Sequence, residues 1–492
     1  MPTEEKDNFT FGDTFMNYVV NGVKHERVFN IFEDICAIPH GSGNEMGVAK
    51  YIVDFAAKRG IEASVDSLGN VFLTKPARAG YENLETVLLQ GHTDMVCEKN
   101  SDVEHNFLTD GLKLFYRDGL IGAVGTSLGA DNGIAVAFML ALLDEDTKPA
   151  LEMLFTVCEE TGLEGARGFD TDKITATKMI NLDSEEDTAV TAGCAGGHRT
   201  EFEIPFVKEG ETCAYKLAIK GLMGGHSGAD INSGRVSAVT LMARLLSKLY
   251  IECGISLVDI TCSGKDNAIA RECYATIGID GNEKSVIEAI MHFEESVKKE
   301  LCTLDAGFTV TLEDNESKAA KINDSATEKI IGFMCGVKTG VIKMSNDISG
   351  LVEFSRNLGI IETVDGKIIF SFSTRSSLEA QLDASERELD ILGRAIGADV
   401  SHHSRYPGWE YIPASTLRDE YIDAFETLFG TRPTVGVIHA GLECGIISSK
   451  TGGRLDIISV GPNLYDIHSP KERCDVASCE KIYDVLLTLF CK

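Results

Sequence analysis

Histidine and carboxylate side chains recur at five places along this chain, each at or just beyond the end of an apolar run. In GHTDMV, His92 stands two residues before Asp94. Asp131 follows in GADNG. The doublet Glu159-Glu160 closes LFTVCEE, Asp183 closes MINLD, and His468 sits in DIHSP. Two imidazoles among several carboxylates form a donor set suited to zinc or another divalent first-row ion. One aspartate can bridge two ions held ~3.5–4 Å apart, and a water between them readily becomes a nucleophile. Adjacent glutamates point differently, so one can face a metal while its neighbour takes a proton. Singly, each site has a plainer reading. His92 suits a capped turn, 131–133 suits a helix cap, and the acidic run from Asp183 suits a solvated surface. Their joint order and spacing are what point to chemistry.

Such residues span almost the whole chain, so the fold must gather them. The spacing predicts a helix from His25, with Val28, Phe32 and Ile35 on one stripe. A second helix carries Val48, Ile52 and Phe55. IEASVD and VFLTK read as strands joined at Gly69-Asn70. TVLLQ (86–90) and LEMLFTV (151–157) are continuous apolar runs, as buried central strands are. Between them, 132–146 reads as a buried helix. Strands alternating with helices imply an α/β sheet packed on both faces. Ligand sites in such sheets form beyond the carboxyl ends of the strands. That is where these side chains fall.

The character changes near Gly193. EFEIPFV and AYKLAIKG alternate with period two, as strands of a one-sided antiparallel sheet do. A helix over 235–250, the strands ISLVDITCSG and ATIGID, and a polar helix from Ser285 follow. This order resembles a ferredoxin-like unit, and a similar set recurs from Thr327 to about Trp409, with a helix at 384–396. The α/β pattern returns with a helix at 419–429 and the strands TVGVIHA and LDIISVG. The expected architecture is an α/β domain with a mixed central sheet, residues 1–192 and 412–492. An α+β domain, residues 193–411, interrupts it, ferredoxin-like and doubled.

A chain of 492 residues is long enough for two cores. Forty-six Lys and Arg against 76 Asp and Glu leave a net charge of −30, which repels phosphate backbones and anionic lipid. Nucleic acid and membrane are therefore not expected partners. The fourteen cysteines form no CxxC pair, and several sit in apolar runs, as thiols of a reducing compartment do. MPTEEKDNFT lacks the apolar stretch of a signal peptide. A cytoplasmic protein is expected.

The ordered set GHTDMV, GADNG, EETG, NLDSEE and DIHSP resembles the M20 zinc peptidases. With HTDMVCEKN and HAGLECG (439–445), it resembles their aminoacyl-histidine dipeptidase, or cytosolic non-specific dipeptidase, branch over nearly the whole chain. The resemblance implies a di-zinc exopeptidase-like catalytic domain holding two divalent ions, zinc first and cobalt or manganese otherwise. Asp131 would bridge the ions. His92 and Asp183 would complete one site, Glu160 and His468 the other. Asp94 would orient His92, and Glu159 would be the general base for attack of a bridging hydroxide on short dipeptides, Xaa-His among them. The Asp131–Asn132 peptide would be cis. The inserted domain would be a lid, with His226 of GLMGGHSGADI stabilising the oxyanion and Asn267 and Arg375 holding substrate. Glu443 would receive the substrate ammonium. The resemblance also implies a homodimer through the lid. Two other readings share the scaffold: an M20-type deacylase of N-acyl amino acids, and a non-enzymatic metal-binding module.

Overall fold

The computed structural model describes residues 18–301, 304–346 and 348–492; the N-terminal stretch read above for a signal lies outside the described residues. The chain divides into two compact units. The first comprises Met1–Val190, Ser415–Thr434 and Arg454–Lys492; the second comprises Thr191–Ala414 and Val435–Gly453.

In the first unit six strands of the main sheet are β1 (Ala63–Val65), β2 (Val71–Lys75), β3 (Val87–His92), β4 (Leu151–Thr156), β5 (Lys178–Asn181) and β6 (Asp456–Ser459). They lie in the order β1-β2-β4-β3-β5-β6. β3 runs parallel to β4 and β5, and β6 parallel to β5, whereas β1 and β2 are antiparallel to their neighbours. The sheet is therefore mixed, and β3 and β4 are buried along their full length, which is why they read as unbroken apolar runs. The longer helices are α1 (Glu26–Cys36), α2 (Met46–Ala57), α3 (Ala130–Leu142), α4 (Thr416–Phe429) and α5 (Val476–Cys491). Every residue of α3 except Asp131 is buried, so the helix is apolar all round. Gly133 lets α3 approach α1, since a Cβ there would stand 3.2 Å from the Phe32 ring. Phe138 stacks on Tyr483 of α5, ring centroids 5.8 Å apart. α3 stops at Leu142, short of the expected 146, where the chain tightens into i→i−3 turns and the buried Lys75 ammonium donates to the Leu142 carbonyl at 2.7 Å.

The second unit contains two ferredoxin-like sheets. In one, the strands Lys208–Lys220, Ser256–Thr261, Cys273–Gly278 and Thr309–Ile322 are interleaved with the helices Ala238–Cys253 and Glu283–Leu301. In the other, Gly196–Pro205, Val352–Val364, Lys367–Ser376 and Asp399–Tyr406 are interleaved with Asp324–Gly336 and Glu379–Ile396; Gly340–Met344 adds an edge strand. Both sheets place their strands in the order second, third, first, fourth. The first motif is inserted whole between the opening strand and the first helix of the other. EFEIPFV therefore belongs to the second motif, not to the one it precedes in sequence. It pairs with GKIIFSFSTRSS far along the chain, Phe202 opposite Phe370. Period-two alternation identifies a one-sided strand but cannot identify its partner. The strand Thr309–Ile322 was not expected at all, because its charged residues break the alternation.

Residues 435–453 group with the second unit rather than with the first, where the sequence placed them. The Ala195 amide donates to the carbonyls of Ile438 and Ala440, at 3.1 and 3.0 Å, and ties this returning segment to the start of the insertion. Among the described residues, every cysteine is free and no helix is long and apolar enough to cross a membrane.

Phe138 tests how far α3 depends on its packing. Phe138→Ala is expected to cost about 3–5 kcal/mol of stability, read from the urea midpoint of the first unit's transition.

Candidate active site

The carboxyl ends of β3, β4 and β5 lie at one edge of the first unit's sheet. His92 ends β3, the Glu159-Glu160 doublet follows β4, and Asp183 follows β5. A buried polar row holds these three strands and β6 in register just beneath that edge. Gln90 donates to the Thr156 hydroxyl at 3.2 Å and accepts from Asn181 at 2.7 Å; the Ser459 hydroxyl donates to Asn181. Fully paired polar groups in a low-dielectric interior fix one register, because any slip would leave them unpaired.

Asp131 stands at the start of α3, and its peptide bond to Asn132 is cis. The Asn132 side chain stitches two ligand-bearing segments together. It accepts from the His92 amide at 3.2 Å and donates to the Leu182 carbonyl at 2.8 Å. His468 comes from the loop between the short strands Leu464–Tyr465 and Arg473–Asp475. Its backbone is left-handed, φ 57°, a conformation non-glycine residues rarely hold.

The two oxygens of Asp131 face different partners. Oδ1 lies 3.2 Å from His92 Nε2, which also stands 3.5 Å from Asp183 Oδ1. Oδ2 lies 3.2 Å from His468 Nε2, which stands 2.9 Å from Glu160 Oε1. The side chains thus form two groups, His92-Asp131-Asp183 and Asp131-Glu160-His468, each with one donor atom per residue mutually within 4.8 Å. Asp131 is common to both. Glu159 joins His92 and Glu160 in a third group.

Asp94 sits behind His92, its Oδ1 3.3 Å from Nδ1. It also accepts from the amides of Glu159 and Glu160 at 3.0 and 3.2 Å, and from the Ser42 hydroxyl at 2.7 Å. One buried carboxylate therefore orients the histidine and the glutamate doublet together. The sequence implied the first of these tasks and gave no sign of the second. Glu45, also unforeseen, accepts from the Cys158 amide at 3.0 Å and steadies the turn that leads into the doublet.

This donor set fits divalent cations. Burial raises the Asp183 carboxyl to about 7, with the charges of Asp131 and Glu160 adding to the effect. Burial opposes charge on His92, but Asp183 and the bonds to Asp131 and Asp94 outweigh it and hold its pKa well above the ordinary value. Hydrogen bonds to Asp131 and Glu160 push His468 up to about 10. Without metal, two imidazolium protons supply the positive charge that the carboxylates require. A further cluster, His198-Glu386-His402, lies in the second unit. There His402 bonds Thr200 and Asp390 through its two nitrogens and Arg405 takes Glu386, while His198 bonds Thr200 through Nδ1 and its buried Nε2 has no hydrogen-bond partner among the described residues.

In the second unit, His226 and Asn267 lie on neighbouring backbone segments, the Ser227 amide donating to the Asn267 carbonyl at 2.8 Å. Arg375 reaches His226 Nε2 at 3.5 Å and donates to the Tyr406 hydroxyl at 3.1 Å. Arg375 is buried on an inner strand, between Ser355 and Gly197, and is not an exposed edge charge. Glu443 is buried at the first turn of the helix Glu443–Lys450. Sequence reasoning missed His439 and Tyr406. His439 bonds the Ser355 hydroxyl at 2.7 Å, and its carbonyl crowds Gly228, where a Cβ would approach within 2.4 Å. The paired glycines around His226 were the available signal.

Residues 88–492 match peptidase family M20/M25/M40, and the chain belongs to that family. It is similar to the cytosol non-specific dipeptidase of Escherichia coli (strain K12), with 34% identity over 470 residues, 94% of this chain and 97% of that one. Its fold is similar to the crystal structure of an aminoacylhistidine dipeptidase from Vibrio alginolyticus, with a TM-score of 0.88 at 32% identity, covering 95% of this chain and 96% of the other. Aminopeptidase PepT from Bacillus cereus shares the fold, with a TM-score of 0.55 at 16% identity over 94% of this chain and 97% of that one.

The raised imidazole pKa values set the proton balance of metal uptake. Below those values both rings carry a proton that a metal must displace. Zinc binding to metal-stripped protein at pH 7.5 is expected to release about two protons per chain, and affinity is expected to rise with pH. Calorimetry in buffers of different ionisation enthalpy counts the protons.

Proposed function

We propose that the protein is a metal-dependent dipeptidase, acting on Xaa-His and other short dipeptides in the cytoplasm. The split of Asp131 between two ligand groups carries this reading, because a bridging carboxylate is what a paired-cation hydrolytic site requires. Family membership and the names of the two relatives above 30% identity support the substrate class.

His92 and Asp183 would hold one ion, Glu160 and His468 the other, with Asp131 between them. Zinc suits this N/O set, and cobalt or manganese would also fit. Bound there, such ions would supply Lewis acidity and ease the deprotonation of water. Glu159 takes the proton from the attacking water as its oxygen adds to the scissile carbonyl carbon. As the C–N bond breaks, Glu159 returns that proton to the departing amine. Asp94 keeps Glu159 in place through the backbone amide and keeps the His92 ring turned toward Asp131. In the second unit, His226 donates to the developing oxyanion, a contribution of about 3–4 kcal/mol for donors of this kind. Burial and the adjacent Arg375 lower the His226 pKa, so it acts as a neutral donor. Arg375 and Asn267 hold the peptide carboxylate and backbone, and Glu443 the ammonium. The resemblance further implies a homodimer through this unit, which sedimentation velocity would test.

The zinc-loaded protein is expected to cleave Xaa-His dipeptides and to leave N-acetyl amino acids intact. The reverse pattern would assign a deacylase. Loss of activity to a chelator and its return with zinc are expected; a protein silent on every substrate would be a binding module. Glu159→Gln is expected to keep both ions, by elemental analysis, while kcat falls by at least about a hundredfold. Near-normal turnover in that variant would remove Glu159 as the base.

A further inference from the structure

Four consecutive backbone amides beside the bridging aspartate converge on one carboxylate that no part of the reaction uses. Glu472 is buried, with 4% exposure. Its Oε2 accepts from the amides of Leu128 and Gly129, at 2.8 and 3.2 Å. Its Oε1 accepts from those of Ala130 and Asp131, at 2.8 and 3.4 Å. Both oxygens are thus committed to the turn that delivers Asp131, at the amino end of α3. There an anion is favoured by the unpaired amides and the helix dipole. Gly129 is left-handed in this turn, φ 69°, and a Cβ on it would stand 2.9 Å from the Met95 sulfur, so the turn has little room to rearrange.

Glu472 itself belongs to the other ligand-bearing segment. It lies four residues after His468, and its own amide donates to the Ser469 carbonyl at 3.1 Å, closing the loop on which His468 stands. One side chain therefore joins the loop that carries His468 to the turn that carries Asp131. These two residues meet at Asp131 Oδ2, 3.2 Å from His468 Nε2. Burial raises the Glu472 pKa while the amide bonds oppose that rise.

We infer that Glu472 is a positioning residue: it sets the separation between Asp131 and His468, and hence the fit of the ion held by His468, Glu160 and Asp131. This inference rests on the assignment of those three side chains as metal ligands. A glutamine at 472 keeps the shape but turns an NH2 group toward two of the four amides, which opposes donor to donor. An aspartate keeps the charge and falls one methylene short.

The test compares Glu472→Gln and Glu472→Asp with Glu152→Gln. Glu152 is an equally buried carboxylate at the opposite end of β4, where it accepts from the amides of Thr175 and Ala176 and from the Thr175 hydroxyl. Three quantities are measured on folded protein: zinc affinity by competition with a chromophoric chelator, and kcat and KM on an Xaa-His dipeptide at saturating zinc. For Glu472→Gln, the affinity for one of two zinc ions and kcat are each expected to fall by about 10–100-fold, the range seen when a residue supporting a metal ligand is removed. KM is expected to change less than twofold. Glu472→Asp should recover part of both losses. Glu152→Gln should lower the unfolding midpoint and leave zinc affinity and kcat per folded molecule unchanged. If Glu472→Gln does not fold, Glu472→Asp decides the matter. Wild-type zinc affinity and kcat in whichever Glu472 variant folds would overturn the inference, as would a zinc loss in Glu152→Gln equal to that in the Glu472 variants. If the unaltered protein bound zinc and cleaved no peptide, the dipeptidase reading would fail, while the zinc titrations would still judge Glu472.

Discussion

Asp131 carries negative charge in a half-buried position, with an imidazole against each of its oxygens. This arrangement constrains the first unit more than any other contact. Three carboxylates and two histidines this close together, four of the five at least partly buried, need compensating positive charge. In the metal-free chain the imidazoles supply it as protons, which is the physical meaning of the raised His92 and His468 pKa values. A pair of divalent cations supplies it more effectively and releases those protons. The site is organised for charge that must be brought to it.

Holding such a cluster takes more than the ligands. Asn132 ties the end of β3 to the segment after β5. Asp94 ties the end of β3 to the doublet after β4. Glu472 ties the His468 loop to the Asp131 turn. Each tie is a side chain bonded to backbone amides or carbonyls of a different segment. The ligands are thereby fixed through the backbones that carry them, leaving their own oxygens and nitrogens for metal. One layer below, the Thr156-Gln90-Asn181-Ser459 row holds the four strands in step. The polar groups buried here act on geometry, and they are placed where an error of register would scatter the ligands.

The second unit shows the same economy in another form. Two ferredoxin-like motifs share one strand order, and one is threaded through the other. The strand bearing Arg375 is consequently central, flanked by the strands of Ser355 and Gly197. An arginine buried in a sheet needs partners; one of its nitrogens donates to the Tyr406 hydroxyl, while its Nε has no hydrogen-bond partner among the described residues. Its charge is held where a carboxylate could meet it.

The sequence by itself determined which residues could serve as metal ligands, where most of the helices and apolar strands lie, and that an α+β segment interrupts an α/β one. Those features are local: periodicity, turn residues and short motifs are written in neighbouring positions. His92, Asp131, Glu160, Asp183 and His468 were legible for that reason, as was the alternation of EFEIPFV. Only the tertiary structure decided that EFEIPFV pairs with a strand more than 160 residues away, that 435–453 returns to the second unit, and what Glu472, Glu45, His439 and Tyr406 bond to. Nothing around Glu472 distinguishes it from a surface glutamate, because its four partners are backbone amides some 340 positions distant. A side chain's role as an anchor depends on what the fold brings to it, and amides look alike in every sequence.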